Sequence, residues 1–167
     1  MDVVRWYAVY VKSRNEKKVF TRFNEANIEA YLPIMKTYRQ WKDRKKMVDV
    51  PLFNSYIFVK VSQKQFVSVK QVEGVVTFVK FNNHPASIPD NQIESLKLLL
   101  CSSEKFEISY DFIDIGEAVE VVKGTLMGFK GTLVSYKGQK RAMLRIDAIN
   151  QVLMVDINPA FLKKIGQ

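Results

Sequence analysis

The sequence predicts an α+β protein of two modules: a ferredoxin-like split β-α-β domain with an added helix, then a small β-barrel. Three observations predict it. Strand-like and helix-like segments alternate through the first hundred residues. From Ile113 onward the chain turns into short β runs separated by polar or glycine-containing turns. The charge divides the same way: residues 1–100 hold 17 Lys/Arg against 9 Asp/Glu, whereas residues 101–167 hold 9 against 8. The 167 residues are 47% hydrophobic and 26% charged, an ordinary globular composition.

Arg5–Val11 is rich in aromatic and β-branched residues and reads as a strand. Ser13 and Glu16 fit a capping box, after which Val19, Phe23 and Ala26 recur at helical spacing. Ile28–Arg39 is extended and broken at Pro33, and Pro51–Val61 is the strongest strand signal in the chain. Gln63–Gln71 fits a short helix, Gly74–Phe81 a strand, and Pro89–Cys101 a helix with proline in its first turn. The order β-α-β-β-α-β-α is the split ferredoxin-like pattern with one helix added.

Ser102–Phe112 lacks a clean period and reads as a linker. Beyond it, Glu117–Val122, Gly131–Tyr136, Ala142–Ile146 and Val152–Ile157, closed by Phe161–Ile165, predict the barrel. The domains expected are thus 1–101 and 113–167, joined by 102–112.

Several function classes fall away. One cysteine, Cys101, excludes a disulfide within the monomer, and with the single histidine, His84, it leaves no Cys/His zinc cluster. His84 lies in a turn-forming Asn-Asn-His-Pro stretch, and Cys101 at the end of an apolar helix is expected to be packed. Carboxylates are scattered, so no acid–base pair or Mg²⁺ site is expected. Gly124–Gly131 departs from a phosphate loop, since Phe129 precedes Lys130 and Gly131 stands where a hydroxyl is required. Its glycines are better read as tight-turn residues. No apolar run approaches the ~18 residues of a membrane span, and the opening Met1–Trp6 is unlike a signal peptide. A soluble, cytoplasmic, basic binding protein without catalytic residues, metal or cofactor is expected.

The net charge of +9 sits almost wholly on the first hundred residues and suits a polyanion, although a merely solubilising surface gives the same arithmetic. Arg14, Lys18 and Arg22 fall on one helical stripe, with Lys12 and Lys17 beside it. A second basic stretch, Lys36–Lys46, interleaves Tyr38 and Trp41, which suits bases and phosphates but equally a solvated hairpin tip. In Phe53–Val61, alternation sets Phe53, Ser55, Ile57 and Val59 on one face and Asn54, Tyr56, Phe58 and Lys60 on the other. Both faces are bulky and apolar; one covers the helices, and the other is either packed or an exposed patch.

In order along the chain, Trp6–Tyr10, the basic helix, Tyr31-Leu32-Pro33, Pro51–Val59 and Gly74–Val79 resemble the N-terminal domain of NusG-type transcription factors. Gly116–Val121 with Gly124–Gly131 resembles the SH3-like KOW barrel of the same family. The resemblance implies a monomeric elongation and antitermination factor bound to bacterial RNA polymerase. Apolar docking residues carried over by motif are Tyr10, Phe53, Tyr56, Phe58, Phe81, Ile93 and Leu96. In specialised members basic residues at the start of the first helix meet the exposed non-template DNA strand; Lys12, Arg14, Lys18 and Arg22 occupy that region. The KOW domain is implied to engage a ribosome or a termination factor.

General members usually carry Phe-Pro-Gly-Tyr where this chain has Phe53-Asn54-Ser55-Tyr56, and Gly-Pro-Phe where it has Gly124-Thr125-Leu126. Both departures resemble specialised paralogues of the RfaH and UpxY kind, the latter serving capsular polysaccharide operons. The KOW domain of RfaH can also form a helical hairpin. Here Gly116, Gly124, Gly128, Gly131 and Gly138, with a run of valines, favour strands over residues 113–165. A KOW-containing RNA-binding or ribosome-associated protein and a general housekeeping NusG are the competing readings.

Overall fold

A computed structural model of the chain describes residues 2–101, 106–109, 116–136, 139–146 and 151–165. It is a mixed α+β structure built on antiparallel sheets, and it divides into two compact units with the boundary after Ile88.

The first unit is organised around β1 (Arg5–Val11), which pairs antiparallel with β5 (Tyr56–Val61), β6 (Val75–Phe78) and β9 (Ser87–Ile88). A short β2 (Ala30–Tyr31) extends the sheet beyond β5, giving the order β2-β5-β1-β6. Against one face pack α1 (Glu16–Glu25) through Val19 and Phe23, and α2 (Phe66–Gln71) through Val69. They meet Tyr7, Val9 and Val11 of β1 and Ile57, Val59 and Val61 of β5. Burying a side chain such as Phe23 contributes about 1.5–3 kcal/mol. The opposite residues of the same strands, Trp6 and Ala8 with Phe58, are buried too.

Two ribbons complete the unit. β3 (Ile34–Gln40) and β4 (Lys45–Pro51) form a two-stranded hairpin, and β7 (Lys80–Phe81) pairs with β8 (His84–Pro85). Asn82 and Asn83 join the latter at φ +48° and +64°, the two-residue turn whose backbone follows strand twist. His84 is therefore an exposed hairpin residue.

In the second unit α3 (Asp90–Cys101) precedes a six-stranded antiparallel sheet. Its strands are β10 (Phe106–Ser109), β11 (Glu117–Val121), β12 (Lys130–Tyr136), β13 (Gln139–Ile146), β14 (Gln151–Val155) and β15 (Leu162–Lys164), in the order β10-β14-β13-β12-β11-β15. Val119, Val121, Leu126, Phe129 and Leu153 are buried. The loop after β11 folds back on it: Val121 N–H donates to Phe129 O, and Gly128 N–H to Val121 O. Gly124 and Gly128 take φ +86° and +88° there, the turn role expected of them. The described residues of 113–165 contain the strands the sequence predicts and no α-helix.

Four local expectations change. Helix α1 begins at Glu16 with Asn15 as its cap, so Ser13 and Glu16 form no capping box; Arg14, at φ +62°, turns the chain before the helix. The capping box lies instead at Ser62 and Gln65, ahead of α2. Pro51–Val61 is two strands, because the chain turns at Leu52–Ser55. Cys101 is exposed: α3 buries Ile93, Leu96 and Leu99, and at ~100° per residue Cys101 falls with Glu94 on the far side. Finally, β10 lies within the stretch read as linker, paired with β14. Four alternating residues, Phe-Glu-Ile-Ser, are too short to signal a strand whose hydrogen bonds come from a distant partner.

Candidate functional site

The turn at Leu52–Ser55 shapes the site. Ser55 adopts φ +66°, a conformation costing an L-residue about 1–2 kcal/mol. Two buried hydrogen bonds hold it: its N–H donates to Glu16 Oε1 at 2.8 Å, and its carbonyl accepts from Val11 N–H at 2.8 Å. Both Glu16 and Ser55 are buried. The kink interrupts strict alternation, so Phe53 does not share the Ile57 face. Its ring meets Phe58 edge-on at 6.2 Å.

The turn also delivers Tyr56 into register with Tyr10, their rings in edge contact at 5.5 Å. Tyr31 stacks on Phe58 at 6.4 Å. Tyr10 is 40% exposed and Tyr56 half-buried, whereas Phe53 and Phe58 are fully buried. Burial, and secondarily the neighbouring Tyr10, pushes the Tyr56 phenol above its ordinary 10.0. Lys60 lies over the Trp6 ring at 5.8 Å on the same side of the sheet.

Of the seven apolar residues picked from the sequence, the fold brings together Tyr10, Phe53, Tyr56 and Phe58. Phe81 is 74% exposed on the β7–β8 ribbon. Ile93 and Leu96 are buried on α3, in the second unit.

The basic set is uneven. Lys12, Arg14 and Lys18 are exposed, but Arg14 lies outside the helix, so the stripe is not a purely helical one. Arg22 is engaged: its guanidinium pairs with Glu73 at 2.7 Å and donates to the Glu73 carbonyl at 2.8 Å. Lys17 donates to Asp49 O at 2.9 Å, tying α1 to β4. Among the described residues no group of three or more His, Cys, Asp or Glu is placed to hold a metal ion, and no helix is long and apolar enough to cross a membrane.

This aromatic and basic constellation lies in residues 4–97, which match the family described as "Transcription termination factor nusG". The chain belongs to the NusG family. It is 22% identical to the "Transcription termination/antitermination protein NusG" of Rickettsia conorii over a 178-residue alignment covering 98% of this chain and 91% of that protein. The protein of the same name from Rickettsia bellii is also 22% identical, over 156 residues covering 87% and 80%. In fold, the chain resembles a structure described as "Domain interaction in Thermotoga maritima NusG", with TM-score 0.59, 20% identity and 98% of both chains covered.

Ser55 thus occupies a left-handed position that glycine takes without strain. Two residues were missed by sequence reasoning. Glu16 looks like a helix-capping residue but is the buried acceptor for Ser55 N–H. Gly74, at φ +99°, lets the turn after α2 close on Val19 and accept a hydrogen bond from Lys12 N–H at 2.9 Å. A lone glycine before a β run was its only signal.

Proposed function

We propose that this chain is a specialised NusG paralogue, an antitermination factor that docks on bacterial RNA polymerase through the Tyr10–Tyr56 edge. The finer architecture belongs to this reading: the first unit as a split ferredoxin-like domain, and the six-stranded sheet as an SH3-like KOW barrel. The observation that carries it is the partly exposed Tyr10–Tyr56 pair, on a strand whose neighbouring Phe58 is buried in edge contact with Phe53. Such rings offer area at small entropic cost, the character of an interface anchor. Phe53 and Phe58 are buried support for that strand, Ile93 and Leu96 are buried packing of α3, and Phe81 adds an exposed ring on its ribbon.

Lys12, Arg14 and Lys18, all exposed, meet the non-template strand in the elongation complex, while Arg22 braces the turn at Glu73. The reading extends to processive transcription of particular operons, with the second unit engaging a ribosome or termination factor.

The test is binding of the full chain to core polymerase. Tyr10→Ala with Tyr56→Ala weakens it more than tenfold, as expected for anchors worth ~2 kcal/mol, with circular dichroism unchanged. Lys12, Arg14 and Lys18→Gln spare that binding but abolish sequence-dependent recruitment to paused complexes. Undiminished polymerase affinity in the folded tyrosine variant overturns the docking assignment.

A further inference from the structure

The β3–β4 ribbon takes no part in the site described above, yet it concentrates charge and exposed rings. Its register sets Tyr38 opposite Met47, Arg39 opposite Lys46 and Gln40 opposite Lys45, and the tip closes with Trp41 N–H donating to Arg44 O at 2.9 Å. Five cations surround that tip: Arg39, Lys42, Arg44, Lys45 and Lys46, all exposed. Among the described residues none of them is ion-paired with a carboxylate. Tyr38 is 68% and Trp41 60% exposed. The ribbon is anchored at its base, where Lys17 of α1 holds the Asp49 carbonyl and Leu52 N–H donates to Pro33 O at 2.8 Å.

We infer that this ribbon is a second nucleic-acid site, specific for single strands. Exposed rings are unfavourable in water, and here they are embedded among cations rather than in an apolar patch. A single-stranded polynucleotide complements both features, since its phosphates meet the cations while its unpaired bases present π-faces to stack on Trp41 and Tyr38. In a duplex those faces are already covered by neighbouring bases. An acidic protein surface would satisfy the cations but leave the rings without partners. The site is independent of polymerase docking, being formed within β3 and β4 alone.

The full chain is titrated, at low salt, with labelled oligothymidylate, oligouridylate and a duplex of about fifteen nucleotides. Because Trp6 is buried, quenching of tryptophan emission reports Trp41. Both single strands bind and quench, and the ratio of the two affinities tells whether DNA or RNA is the preferred source. Trp41→Ala with Tyr38→Ala reduces affinity about tenfold or more, Trp41→Phe with Tyr38 retained changes it less than threefold, and affinity falls steeply with salt. Lys12, Arg14 and Lys18→Gln leave the quenching intact. Tighter binding of the duplex, unchanged affinity in the Trp41→Ala and Tyr38→Ala variant, or loss of quenching in the α1 variant each overturns the assignment.

Discussion

Replacing Glu16 by alanine tests whether one buried carboxylate holds the turn that presents Tyr56. In the native fold Glu16 Oε1 accepts the Ser55 N–H at 2.8 Å, both residues are buried, and Ser55 sits at φ +66°. Removing the acceptor strands a buried amide, a loss of about 1.5–3 kcal/mol for a bond to a charged group. Glu16 is also the first residue of α1, where a carboxylate complements the helix terminus by about 0.3–1 kcal/mol. Together about 2–4 kcal/mol is expected, several times a surface substitution. Glu16→Gln, which keeps an acceptor oxygen, costs about half as much or less. Adding Ser55→Gly to Glu16→Ala restores about 1 kcal/mol, because glycine removes the left-handed strain.

Native-state hydrogen exchange reads this at the bond itself. A 2 kcal/mol loss accelerates Ser55 amide exchange roughly 30-fold if that amide opens locally, and urea unfolding followed by Trp6 gives the stability of the first unit. If Glu16→Ala leaves urea stability within about 0.5 kcal/mol of wild type and Ser55 exchange unchanged, the carboxylate does not hold the turn and the reasoning fails.

Gly74→Ala places a Cβ 2.6 Å from Val19 Cγ2 at φ +99°, so strain and overlap destabilise the first unit by about 2 kcal/mol or more, read as a lower urea midpoint. Tyr56 carries a phenol whose folded value lies above its ordinary 10.0. The unfolded chain then loses this proton first, so the stabilisation is complete below pH ~10 and is lost as pH rises through the folded value. Alkaline unfolding monitored by near-ultraviolet absorbance shows that loss in wild type, and Tyr56→Phe removes Tyr56's share of it.

Strands β1 and β5 and helix α1 were legible because their apolar periods extend over enough residues to separate period 2 from period 3.6. The Tyr10–Tyr56 pair was partly legible as well, from alternation and family likeness together. Alternation could not show that Phe53 leaves its strand face, since that depends on a backbone kink at Ser55 which serine tolerates only when neighbours hold it. Nor could it separate Arg22, bound to Glu73, from the exposed Lys12 and Lys18, because the partner lies far along the chain.

The amino-acid sequence by itself determined the α+β class, the two-part charge distribution, the absence of a Cys/His zinc cluster and the strand character of the second half. Each of these follows from local composition and periodicity, which act over a few neighbouring residues. Tertiary structure alone decided which aromatic rings are exposed, which cations are already engaged, and that Glu16 is a turn-holding acceptor rather than a helix cap. Those properties depend on hydrogen bonds and burial between residues distant in sequence, such as Glu16 with Ser55 and Val19 with Gly74, and no local pattern encodes their meeting.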